Sequence, residues 1–116
     1  MKNQELSKIL RNMAIYLEMK SVPFKPQAYE KAAYSIESLD NDIQAIYEKN
    51  GLKGLEEIPG VGKGIAERIE EYLKTGAIKN YEKFKKEIPV DLETFYGIEG
   101  LGPKRIAILY KILKIK

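Results

Sequence analysis

The chain of 116 residues carries 44% hydrophobic and 32% charged side chains. It is long enough for one buried core, or one domain with part of a second, and too short for a complete large enzyme. It has neither cysteine nor histidine. That excludes disulfides, zinc sites of the Cys/His type, thiolate or Ser-His-Asp catalysis, and imidazole as a base near neutral pH. No apolar run has the length of a membrane span or a secretory signal, so a soluble cytoplasmic protein is the default expectation.

Helical spacing recurs along the chain and strand-type alternation does not. Leu6, Ile9, Leu10, Met13 and Leu17 form the stripe of a first helix, bracketed by Pro23 and Pro26. Pro26 suits the first turn of a second helix, where a missing N–H costs nothing. That helix carries Ala28, Tyr29, Ala32, Ala33 and Ile36 on one side. Asp40 and Asn41 are candidate caps for a short helix with Ile43, Ile46 and Tyr47, closed at Asn50-Gly51. A short element through Leu52 and Leu55 follows. Ile65, Ile69, Tyr72 and Leu73 mark another helix, stopped by Gly76, and Tyr81, Phe84 and Ile88 a further one, ended by Pro89. Leu92 and Phe95 then lead through a glycine turn into a helix with Ile106, Leu109, Tyr110 and Leu113. The fold class is all-α.

One pattern repeats at an offset of 40. Leu52, Leu55, Ile58, Gly60, Val61, Gly62, Ala66, Ile69, Tyr72 and Leu73 fall against Leu92, Phe95, Ile98, Gly100, Leu101, Gly102, Ile106, Leu109, Ile112 and Leu113. Each copy reads as a short helix, a Gly-apolar-Gly hairpin and a longer amphipathic helix. The glycines let the main chain take unusual turns and let another molecule come close. Val61 or Leu101 between them tucks inward as an anchor. The helix that follows offers unpaired N–H groups at its positive end, a setting suited to a phosphate oxygen. A tight turn that only packs two helices is the plainer reading of either copy. Lys63 beside the first hairpin, and Lys104 and Arg105 beside the second, favour the phosphate reading.

Charge distribution runs the same way. Residues 1–57 hold eight basic and nine acidic side chains, and residues 58–116 twelve and eight. From Gly100 onward five basic residues meet no acidic one, either a solvated helix face or a stripe for a polyanion.

The segments Ile58-Pro-Gly-Val-Gly62-Lys-Gly-Ile-Ala66 and Ile98-Glu-Gly-Leu-Gly102-Pro-Lys-Arg105 resemble helix-hairpin-helix DNA-binding motifs. With Ala28-Tyr-Glu-Lys-Ala-Ala33 and Leu52-Lys-Gly-Leu-Glu-Glu-Ile58, the chain is similar to the N-terminal region of family X DNA polymerases of the polymerase beta type. The resemblance implies a small helical domain over residues 1–88, with the first hairpin motif at about 55–75. The second hairpin, at 89–116, would begin the fingers subdomain. It further implies non-sequence-specific binding of gapped or nicked duplex DNA in base excision repair. Phosphates would lie on Gly60, Gly62, Lys63 and Gly64 in the first grip and on Gly100, Gly102, Lys104 and Arg105 in the second. Lys25 and Tyr29 would line a pocket for a 5′ phosphate, although a solvated lysine and a packing tyrosine are equally good readings of those two residues. A monovalent cation, Na+ or K+, is implied at the carbonyls of Glu56, Ile58 and Val61 and of Tyr96, Ile98 and Leu101. Mg2+ would belong to a catalytic core outside this chain.

Some members of the family remove a 5′-deoxyribose phosphate through a Schiff-base lysine. The aligned position here is Arg68, whose guanidinium cannot supply that amine, and a second pocket lysine aligns with Gly64. Weak or absent lyase activity is therefore expected. Asp40-Asn41-Asp42 reads as a helix cap and not as a metal site, and Gly60–Gly64 lacks Walker A spacing. Three functions stand side by side: a DNA-binding module, a lyase using Lys63 or another lysine, and a helix-packing interaction module.

Overall fold

The computed structural model describes residues 2–20, 22 and 24–87. These form five helices: α1 (Lys2–Met19), α2 (Lys25–Glu37), α3 (Ile43–Glu56), α4 (Lys63–Thr75) and α5 (Lys79–Glu87). No strand occurs among the described residues, and the fold is all-α. The second hairpin, with Tyr96, Ile98, Gly100, Leu101, Gly102, Lys104 and Arg105, lies outside the described residues, as does the expected boundary at 88/89.

The core is built from Leu6, Leu10 and Met13 of α1, Ala32, Ala33 and Ile36 of α2, Ile43 and Leu55 of α3, and Ile65, Ala66, Ile69 and Tyr72 of α4. Ala32 and Ala33 are fully buried, and their small side chains let the long first helix lie close along the second. α1 is buried over a broader surface than its stripe suggests. Ala14, Ile15, Tyr16 and Met19 are buried as well, because the helix also receives α5. Tyr16 meets Tyr81 and Phe84 with ring centroids 6.2 and 6.0 Å apart. Asn12 Nδ2 donates to the Tyr81 hydroxyl at 3.0 Å.

Three local expectations are corrected. The cap of α3 is Asp42, not Asp40 or Asn41: its carboxylate accepts the Gln44 N–H at 3.0 Å. Asn41 instead gives its carbonyl to Asn3 Nδ2, and Asn3 Oδ1 accepts the Ile43 N–H, both at 2.8 Å. The buried Asn3 thus pins the start of α1 to the start of α3. The two elements expected on either side of Asn50-Gly51 form one range kinked at Gly51, whose φ of 65° and ψ of −151° interrupt the helix. Ala28, placed by spacing on the inner side of α2, is exposed, while Pro26 in the first turn is buried.

Candidate nucleic-acid interface

The hairpin between α3 and α4 follows from its residue order. Leu55 and Ile58 are buried, and the chain turns at Pro59-Gly60, where the Val61 N–H returns to the Ile58 carbonyl at 3.0 Å. Proline followed by a glycine at φ 83° is the chemistry of a type II turn. Val61 is 4% exposed and anchors the turn inward. Both flanks of the hairpin are therefore sewn into the core, and the Leu52, Leu55, Ile58, Val61, Ala66, Ile69, Tyr72 and Leu73 positions of the first repeat are all buried or packed against it.

What stays outside is polar backbone. Gly62 is the N-cap of α4 and, lacking a side chain, makes no capping bond. The first intrahelical bond is from Ala66 N–H to the Gly62 carbonyl at 2.9 Å. The amides of Lys63, Gly64 and Ile65 precede it and have no helical acceptor. A Cβ added at Gly62 or Gly64 would meet no atom within 4 Å, whereas one at Gly60 would meet the Lys31 side chain. Gly60 thus serves the fold, and Gly62 and Gly64 form the open approach. At pH 7 these amides coincide with the positive end of the α4 dipole.

The pocket residues divide. Lys25 sits exposed in the first turn of α2, one turn before Tyr29, on the same face. Tyr29 is partly buried against the core, and burial raises the pKa of its phenol. The Arg68 guanidinium, in hydrogen-bonding reach of the hydroxyl, pulls it partly back. The phenol is neutral at physiological pH, and a neutral hydroxyl can accept from a guanidinium and donate to an acceptor. Arg68 stands one turn after Gly64 on α4, which links the open hairpin to the Tyr29 side of α2. From the sequence alone Arg68 reads only as the position of a missing lysine. Its i, i+4 spacing from Gly64 was the signal that it belongs to the same surface.

Ion pairing reinforces this. The pairs fall on Arg11–Glu37, Lys20–Glu87, Lys74–Glu70, Lys83–Glu87 and Lys85–Glu82. Among the described residues, Lys25, Lys31 and Lys63, on α2 and at the start of α4, are among the lysines without a carboxylate partner, as are Lys49, Lys53 and Lys86 elsewhere. Unpaired cations beside the open hairpin are what a polyanion needs. No group of acidic side chains that could hold a divalent metal occurs among the described residues, and no helix there is long and apolar enough to cross a membrane.

Two helices joined by a glycine hairpin, with an uncapped second helix, define the helix-hairpin-helix class. The chain belongs to the helix-hairpin-helix domain family, whose model matches residues 1–78. It is similar to the DNA polymerase/3'-5' exonuclease PolX of Bacillus subtilis (strain 168), with 34% identity over 116 residues, covering 99% of this chain and 19% of that protein. It is also similar to DNA polymerase lambda of Rattus norvegicus, with 26% identity over 108 residues, covering 93% of this chain and 18% of that protein. Both relatives are family X DNA polymerases, and a helix-hairpin-helix domain of this kind fits DNA binding. The chain spans less than a fifth of the length of either.

Proposed function

We propose that the chain binds DNA through backbone phosphates, independent of base sequence, at gaps or nicks, as the N-terminal part of a family X repair polymerase. The observation that carries this reading is the uncapped N-terminus of α4, approached across Gly62 and Gly64, where a Cβ would meet no atom of the described residues within 4 Å. Phosphate contacts of this type position a strand without reading it. Lys63 supplies charge beside the amides, while Lys25, Tyr29 and Arg68 offer a cation, a hydroxyl and a guanidinium for a terminal 5′ phosphate. The guanidinium suits phosphate by its forked donors. In the same proposal the second hairpin, with Gly100, Gly102, Lys104 and Arg105, holds the strand that bears the 3′ end.

A monovalent cation fits the first hairpin. The Ile58 carbonyl spends one lone pair on Val61, and among the described residues no turn or cap donor reaches the carbonyls of Glu56 or Val61. These three oxygens would hold the ion and share it with a phosphate.

Titration of gapped duplexes with and without a 5′ phosphate, against intact duplex and single strand, tests the proposal. Preference for the phosphorylated gap is expected. Equal affinity for all four would overturn the gap-specific part. Salt separates it from an interaction module, since duplex binding should fall with a logarithmic slope of about −0.9 per phosphate contact.

A further inference from the structure

We infer that Lys31 of α2 is a further phosphate-binding cation of the first hairpin, delivered across the face of Gly60. This rests on the DNA-binding reading above and adds to it a residue outside both the hairpin and the 5′-phosphate pocket. A Cβ built on Gly60 would lie 2.9 Å from Lys31 Cγ and 3.2 Å from Lys31 Cδ. The aliphatic stem therefore occupies the space a side chain at Gly60 would take, and the turn and the lysine are fitted to each other. A long basic side chain commonly lays its methylenes on a surface and keeps its charged end in water.

Lys31 is exposed and makes no ion pair among the described residues. Its helical neighbours three and four positions away are Gln27, Ala28, Tyr34 and Ser35, none of them acidic. Lys20, Lys74, Lys83 and Lys85 have carboxylate partners, while other lysines such as Lys49, Lys53 and Lys86 have none among the described residues, so it is the seat on Gly60 that singles out Lys31. The lysine whose stem rests on the hairpin turn thus brings an unpaired charge to the turn side of the hairpin. A backbone passing over Gly62 and Gly64 would meet Lys63 on the helix side and Lys31 on the turn side. Gly60 is held to glycine twice over, by its φ of 83° and by the lysine stem.

Two substitutions separate charge from packing. Lys31→Met keeps an unbranched stem and removes the charge. It should leave thermal stability unchanged, flatten the salt slope by about 0.9, and weaken duplex binding about eightfold at 0.1 M salt, the share of one contact at that slope. A packing test reads the contact itself: Gly60→Ala should be less destabilising in a Lys31→Ala background than in the parent chain, by double-mutant cycle. An unchanged slope and affinity in Lys31→Met overturns the phosphate role. Additive stabilities in the cycle overturn the seating of the stem on Gly60. Gly62→Val is the control: if it also leaves DNA binding intact, the hairpin reading itself fails, whereas loss in Gly62→Val with an unaffected Lys31→Met sinks only the lysine.

Discussion

At the scale of single residues, the hairpin glycines do different work, and substitution should tell them apart. Gly62 has an extended backbone, φ −85° and ψ −178°, which a β-branched residue also adopts. Gly62→Val is therefore expected to stay folded, losing about 1 kcal/mol at most from poorer capping, while DNA affinity drops as the approach closes. Gly60→Ala should do the reverse in kind, lowering stability by about 1–2 kcal/mol through its left-handed backbone. Paired denaturation and binding curves check both.

Tyr72 gives a pH signature of the fold. Burial, with the Glu5 carboxylate accepting its hydroxyl, pushes its pKa to about 12 from an ordinary 10. The fold favours the protonated phenol, so the stabilisation is complete below pH 10 and is lost as pH rises from 10 through 12. Urea unfolding should show that loss, and Tyr72→Phe should remove this part of it at a cost of about 1 kcal/mol at neutral pH.

Between elements, stability is uneven. α5 has no buried residue of its own and is held by Ile78 just before it, by Tyr81 and Phe84 against Tyr16, and by the Lys20–Glu87 pair. Elements with so few buried contacts open locally at low cost. Hydrogen exchange should be faster in α5 than in α1 or α4. Phe84→Ala should accelerate it further without altering exchange in α4 or binding at the hairpin. Lys20 holds the Glu87 carboxyl below its ordinary pKa. This contribution is present above about pH 4.5 and is lost as pH falls through the lowered value, so α5 should loosen first in acid.

The elements also show what a linear reading can hold. Apolar spacing located the five described helices, though it divided α3 at its Gly51 kink, Gly76 marked the end of α4 with φ 84°, and Val61 was legible as an inward anchor because it sits alone between glycines. The Asn3 clasp on Asn41 and Ile43 was not legible: it joins residues about 40 positions apart through a polar side chain that periodicity does not weigh. The same holds for Tyr29 with Arg68 and for Lys31 over Gly60. Their meeting depends on how α2 crosses the hairpin, which no local pattern encodes. Asp42 takes the capping role because it is the residue directly before the first helical residue, Ile43, which leaves Asp40 and Asn41 too early in the chain to cap.

Across the whole molecule, the two repeats raise a question of linkage. A net charge of +3 is too small to hold DNA by general attraction, so in the proposed reading affinity comes from local grips and their coupling. Two weak grips on one rigid substrate act at high effective concentration, and the loss of either then costs far more than its isolated affinity suggests. Gly62→Val and Gly102→Val, each in the full chain, should therefore both lower affinity for a gapped duplex. The double variant should fall well below either single one, since each single variant keeps one grip and the double keeps neither. The logarithmic salt slope should shrink in each single variant by the contacts its own hairpin contributes. Binding curves on one gapped substrate at several salt concentrations decide the matter. If Gly102→Val alone leaves affinity and slope untouched, the second hairpin takes no part in holding the strand, and the first must bind DNA unaided.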